Sequence, residues 1–198
     1  MWPERNSMMN LTKSIDFLLE NAGAVIQYRL RKEILCSLTA AEEEKLLGQI
    51  YQTPCFRLVQ GYAKPDGYIG RGMHSWDNWR GVRLHETPLQ DGEAAARLLS
   101  YYAVPKDHLL IKNFVNAMRD ENILREEFSY IPPEVHRFET RFVGLESGFC
   151  LMTLLYAMQA MLGYGDEEYV KPFQSTSLEA FKSILPLSSI NDITKTRQ

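Results

Sequence analysis

Between residues 66 and 86 the chain sets two imidazoles, His74 and His85, among three carboxylates, Asp66, Asp77 and Glu86. Histidine changes charge near neutral pH, so either ring can act as acid, base or metal ligand, and a carboxylate can orient it through its second nitrogen. The candidate catalytic residues are His74, His85, Asp66 and Asp77. Tyr68, Trp76, Trp79, Arg80 and Glu86 lie among them and are the candidate binding residues. The two histidines stand eleven residues apart across glycines, and no regular element dictates that they meet. The plainer expectation is structural: the aromatics pack, and the polar groups cap helix ends and loop amides. No metal ligand set is expected.

These residues fall in a stretch that cannot be a regular helix. Gly61, Gly67, Gly70, Gly72 and Gly81, with Pro65 and Pro88, punctuate residues 61–90. Tyr68, Trp76 and Trp79 argue against disorder, because disordered segments are poor in aromatics. A long ordered loop inside a compact domain is uncommon and often functional.

Around the loop, apolar residues recur at helical spacing. Leu11, Ile15, Leu18, Leu19 and Ala22 form one stripe, and after a break at Gly23 it resumes with Ile26, Leu30 and Ile34. Thr39 followed by Glu42 is a capping-box pattern, with Leu46, Leu47 and Ile50 behind it. Pro54 either stops that helix or opens a short one over Cys55 to Gln60. Leu98, Leu99 and Tyr102 belong to a further helix that stops at Val104 and Pro105, and a partner restarts from Asp107 with Ile111, Phe114, Val115 and Met118. Residues 120–144 read as irregular. Leu151, Leu154, Leu155, Met158 and Leu162 then form an apolar helix closed by Gly163 and Gly165, after which Asp166 can cap the next segment. Pro172 is expected to break the chain before a last helix that starts at Thr176 and ends at Pro186, leaving 187–198 as a polar tail.

The hairpins line up. Setting Asp107 on Asp166 places Leu98 and Leu99 on Ala157 and Met158, and Phe114 on Phe173. Setting Glu43 on Asp107 places Ile34 and Leu35 on Leu98 and Leu99, and Ile50 on Phe114. A unit that buries its face only against neighbouring copies is the physical logic of repeat architectures. The expected fold class is all-α, with one domain over 1–186.

Composition excludes several functions. Twenty-two basic and 25 acidic side chains give a formal charge of −3, spread evenly along 198 residues. Counterion release needs a clustered positive surface, so no nucleic-acid partner is expected. The one basic cluster, Arg29, Arg31 and Lys32, reads as a solvated helix surface. Cys36, Cys55 and Cys150 are odd in number and far apart, which points away from a disulfide framework. The stretch from Phe149 to Leu162 falls short of the roughly 20 residues a bilayer span needs. A cytoplasmic protein is expected, with no membrane span.

One segment resembles a known family. Phe56, Arg57, Leu58, Val59 and Gln60, followed by Asp66, Gly67, Tyr68, Ile69 and Gly70, resemble the Gln, Asp-Gly and aromatic-Gly signature of prenyltransferase and squalene-cyclase repeats, with Tyr68 where that signature often has Trp. The run Tyr28 to Leu35, this loop and the Leu98–Leu99 hairpin are similar to a bacterial branch carrying such repeats. The resemblance covers residues 11–120 well and 145–185 loosely. It implies an α/α toroid with long glycine-rich loops at one rim, in which the Asp-Gly-aromatic loop mainly ties one hairpin to the next. Three hairpins imply an incomplete toroid: an open arc or a piece of a longer ring.

The family's chemistry carries over poorly. Its alkene-protonating cyclases use an Asp-x-Asp-Asp acid, which this sequence lacks; Asp166, Glu167 and Glu168 read as a helix start. Its protein prenyltransferases hold zinc through Asp, Cys and His, and Cys150 instead sits on the most apolar helix, where a buried inert thiol is expected. The resulting expectation is a non-catalytic binding module for an apolar small molecule or a protein partner, with no cofactor. Met8, Met9, Met73, Met118, Met152, Met158 and Met161 would supply adaptable contacts, though methionine at helical spacing is more often core. The alternative is a terpenoid-cyclase or prenyltransferase-like enzyme acting on an isoprenoid.

Overall fold

The computed structural model describes residues 5–72, 81–83, 86–127 and 149–189. Among them the chain is helical, with no strand, and an isolated antiparallel bridge pairs Ala63 with Ile69. No described helix is long and apolar enough to cross a membrane.

Helix α1 (Arg5–Asn21) carries the first stripe, and Gly23, in an extended conformation, separates it from α2 (Ala24–Arg29). The end of α2 loosens into a π-helical turn over Leu30–Ile34. Helix α3 (Ala40–Tyr51) starts at the expected capping box. The Thr39 hydroxyl accepts from the Glu42 N–H at 3.3 Å, and the Glu42 carboxylate accepts from the Thr39 N–H at 3.0 Å. Pro54 opens α4 (Pro54–Gly61) behind a Thr53 cap, since its missing N–H costs nothing in a first turn.

Helix α5 (Gly92–Tyr101) is capped by Asp91, whose carboxylate accepts from the Ala94 N–H at 2.8 Å. The partner helix α6 (Leu109–Ala117) starts two residues later than the expected Asp107, because the cap is His108: its Nδ1 accepts from the Leu110 N–H at 3.2 Å. A short helix, α7 (Glu121–Glu127), stands where irregular chain was expected, started by the Asp120 carboxylate on the amides of Asn122 and Ile123. The last pair is α8 (Phe149–Gln159), which also ends in a π-helical turn, Ala160–Tyr164, and α9 (Lys171–Ile184). Pro172 does not break α9. It occupies the first turn, where proline is compatible with a helix, so α9 starts before Thr176, and Asp166 lies well ahead of it.

Three times a helix ends, the backbone turns through a left-handed residue, and a second helix follows. The corners are Cys36 (φ 48°), Ala103 (φ 51°) and Gly163 (φ 91°). At the second corner the Val104 N–H reaches the Leu99 carbonyl and the Ala103 N–H the Ser100 carbonyl, which satisfies the free carbonyls at the end of α5.

The main core joins α4 to α8. Phe56, Leu99, Ile111, Phe114, Met118 and Met158 meet in it, each 4% exposed or less. Ala95 and Ala96 keep α5 thin, and α4 and α8 both pack on it. Burying each large side chain there contributes about 1.5–3 kcal/mol. A smaller cluster of Tyr28, Leu46 and Ile50 holds α2 on α3, and Tyr51 and Tyr102 touch both clusters.

Candidate functional site

The Asp-Gly loop after α4 is a stitched turn. The Asp66 carboxylate accepts from the Tyr68 N–H at 2.8 Å, and the Lys64 N–H reaches the Tyr68 carbonyl at 2.8 Å. Gly67 (φ 91°) and Gly70 (φ 89°) hold backbone that only glycine adopts without strain, and both are crowded. A Cβ on Gly67 would lie 2.8 Å from the Asn113 carbonyl oxygen, and one on Gly70 would lie 2.9 Å from the Asp91 carbonyl carbon. Tyr68 is fully buried, its ring edge-on to Phe114 with centroids 5.4 Å apart. Its hydroxyl donates to the Gly72 carbonyl at 2.9 Å, which also accepts from the Gly92 N–H at 3.0 Å. The loop thereby grips the start of α5.

A residue the sequence did not single out completes this tie. Glu127, on α7, is 1% exposed; its carboxylate accepts from the Gly72 N–H at 2.7 Å and pairs with the Lys64 ammonium. A buried carboxylate left alone would be costly, and these two partners answer it.

The nine candidate positions do not all fall in the described structure. His74, Trp76, Asp77, Trp79, Arg80 and His85 lie outside the described residues. Asp66 is spent on the turn, Tyr68 is packed inside, and Glu86 is exposed and paired with Arg83 at 2.8 Å. Among the described residues no three His, Cys, Asp or Glu side chains come together as metal ligands.

A second region has the shape of a site. An open cleft of about 370 Å³ lies where the ends of α2, α5 and α8 approach one another. Ala103, Val104, Pro105, Met161 and Leu162 give it apolar lining, while Arg29, Lys32, Glu33 and Lys106 supply charge. Val104 and Leu162 belong to the main core; Met161 is 40% exposed.

Most of that charge is matched. Arg29 pairs with Glu33 at 3.0 Å and directs its remaining nitrogen, Nη1, to the carbonyls of Ser100 and Tyr101 at the end of α5, where the helix dipole favours a cation. Lys32 pairs with Glu43 at 2.7 Å and donates to the Tyr28 hydroxyl at 2.6 Å. Hydrogen bonds from Lys32 and then Tyr28 hold the Glu43 carboxyl below its ordinary range. Partial burial opposes the charge on Lys32, but its bonds to Glu43 and Tyr28 prevail and raise its pKa. Arg31 pairs with Glu42 at 3.4 Å, so the basic cluster keeps the solvent exposure expected of it and is also paired at all three positions.

No sequence signal marked this cleft, because its residues come from three distant segments and share no spacing. Comparison of the chain with protein families, curated proteins and solved structures gives no match.

Proposed function

We propose that the chain is a helical binding module whose cleft between the ends of α2, α5 and α8 holds an apolar small molecule. In this proposal the hairpins are repeats of the prenyltransferase and squalene-cyclase kind, set as an incomplete α/α toroid in the cytoplasm. The left-handed corners at Cys36, Ala103 and Gly163 support the repeat reading. The observation that carries the function is the cleft itself: its apolar side is continuous with the core and faces a polar and charged side, so one cavity offers both burial for a hydrocarbon and groups that orient it.

Native mass spectrometry of the purified chain, before and after organic extraction, tests it. A bound mass that extraction removes, and that an Ala103→Trp variant fails to retain, is expected. A wild-type chain that carries nothing and takes up nothing from an added lipid extract overturns the reading.

A protein partner is the second reading, favoured by α9. Leu178 and Phe181 are 54% and 66% exposed on a helix that buries no residue, and Leu185, just past its end, is 80% exposed. In a repeat stack such a face is covered by the next unit, so a second copy of this chain is the occupant it fits. Sedimentation velocity should show a dimer that Phe181→Asp dissociates; a monomer at high micromolar concentration sinks this reading.

A further inference from the structure

The cleft carries more information than its apolar floor. Its backbone is shaped by two left-handed residues, Ala103 and Gly163. Because Gly163 has no side chain, the aliphatic stem of Lys106 lies over it: a Cβ there would be 3.2 Å from the Lys106 Cβ and 3.6 Å from its Cδ. The Tyr164 hydroxyl donates to the Lys106 carbonyl at 3.1 Å and fixes the turn from the other side. Lys106 is therefore held by its neighbours at the backbone and along its stem.

Its charge is the one left over. Of the three cations in the lining, Arg29 is matched by Glu33 and Lys32 by Glu43, whereas Lys106 makes no ion pair among the described residues. Arg29 also spends Nη1 on the carbonyls that end α5, so the negative pole of that helix is already answered. Three cations against the carboxylates of Glu33 and Glu43 leave one positive charge. A dianion would bring excess negative charge beside those two carboxylates, a cation would meet Lys106, and a neutral ligand would gain nothing from an ammonium that water already solvates. The apolar lining, Val104, Pro105, Met161 and Leu162, asks for a hydrocarbon portion, and about 370 Å³ sits at the small end of ligand sites, roughly 300–1,000 Å³.

We infer that the cleft takes a monoanionic amphiphile, a carboxylate on a short hydrocarbon chain, with Lys106 as the cation that receives the carboxylate. This rests on the small-molecule reading of the cleft. The hydrocarbon supplies most of the affinity by area, and the pair to the exposed Lys106 adds modest selectivity for the charged end.

The test uses the full chain with methyl-labelled methionine and alanine, titrated with octanoate, 1-octanol and acetate. Octanoate should shift the Met161 and Ala103 methyl signals, with 1-octanol weaker and acetate silent. Lys106→Gln should weaken octanoate about two- to fivefold, and Lys106→Arg should restore it. Thermal melts of both variants, read beside the titrations, separate lost binding from lost folding. If 1-octanol binds as tightly as octanoate, or Lys106→Gln binds octanoate unchanged, the anion inference fails while the apolar-ligand reading stands. If neither octanoate nor 1-octanol moves those methyl signals, both fail together.

Discussion

Helices α6 and α9 are both amphipathic, yet they end in opposite circumstances. On α6, Ile111, Phe114, Val115 and Ala117 are buried, and Phe114 meets Tyr68 from the Asp-Gly loop inside the main core. On α9 no residue is buried, and its main hold is near its start, where Phe173 stacks on Tyr156 with ring centroids 4.4 Å apart. The pattern of apolar residues decides which face of a helix seeks cover. Whether it finds cover depends on a neighbour: α6 has α5, α7, α8 and the loop nearby in one core, whereas α9 lies at the end of the described chain. In the repeat reading proposed above, stability would come from interfaces between units, and an uncovered end helix is what that reading expects.

The sharpest way to break this contrast is to shorten the same residue type on both helices. Phe114→Ala should cost about 3–5 kcal/mol, seen as a lower urea midpoint with an unchanged slope. A loss below about 1 kcal/mol would mean that α6 is not the covered helix described. Next in size is Gly70→Ala in the loop that grips α5. It places a side chain at φ 89° and against the Asp91 carbonyl, so a loss of about 1–3 kcal/mol is expected by the same measurement.

A smaller effect comes from the caps. His108 caps α6 through Nδ1, while the residue before α9, Val170, offers no side-chain cap. Burial of the His108 ring, which lies 4.8 Å from the Tyr51 ring, holds its pKa below the ordinary imidazole value. A protonated ring has no lone pair at Nδ1 for the Leu110 N–H, so the neutral form is the one that caps. The unfolded chain binds this proton at a higher pH than the folded one. The contribution of His108 is thus complete above about pH 6.5 and is lost as pH falls through the lowered folded value. Urea midpoints at pH 7.5 and 5.5 should fall further for wild type than for His108→Asn, which keeps a cap without a titrating group. Equal falls would remove His108 from the account. Least of all, Phe181→Ala on α9 should shift the monomer's stability by no more than about 0.5 kcal/mol. A loss approaching that of Phe114→Ala would show α9 to be covered after all.

Much of the helical layout was legible in the residues. The Thr39 and Glu42 box, the break at Gly23 and the apolar face around Phe114 are local rules, and the backbone follows them; at Pro54, where stop and start were both open, it takes the start. The misses have physical causes. Helix α7 is short and polar on most of its surface, and one of the two residues it buries is a glutamate, so no apolar period announced it. Two of the three left-handed corners use Cys36 and Ala103 in place of glycine, which hides the turn from composition. Of the candidate site, Asp66 and Tyr68 were legible as a motif because a turn needs them close in the chain. The cleft was not, since Lys32, Lys106 and Met161 become neighbours only through packing.

The bond from the Gly92 N–H to the Gly72 carbonyl holds together two points of the backbone twenty residues apart, and Tyr68 clamps the same carbonyl. Together the two bonds close a neck between the Asp-Gly loop and the start of α5. For a flexible loop, closure entropy grows only with the logarithm of length, so doubling the segment would cost about 0.6 kcal/mol while the helices on either side keep their register. The neck therefore fixes where α5 begins by a bond that does not depend on how many residues separate its two ends, while Leu89, buried in the main core just before α5, belongs to the scaffold side of that bond.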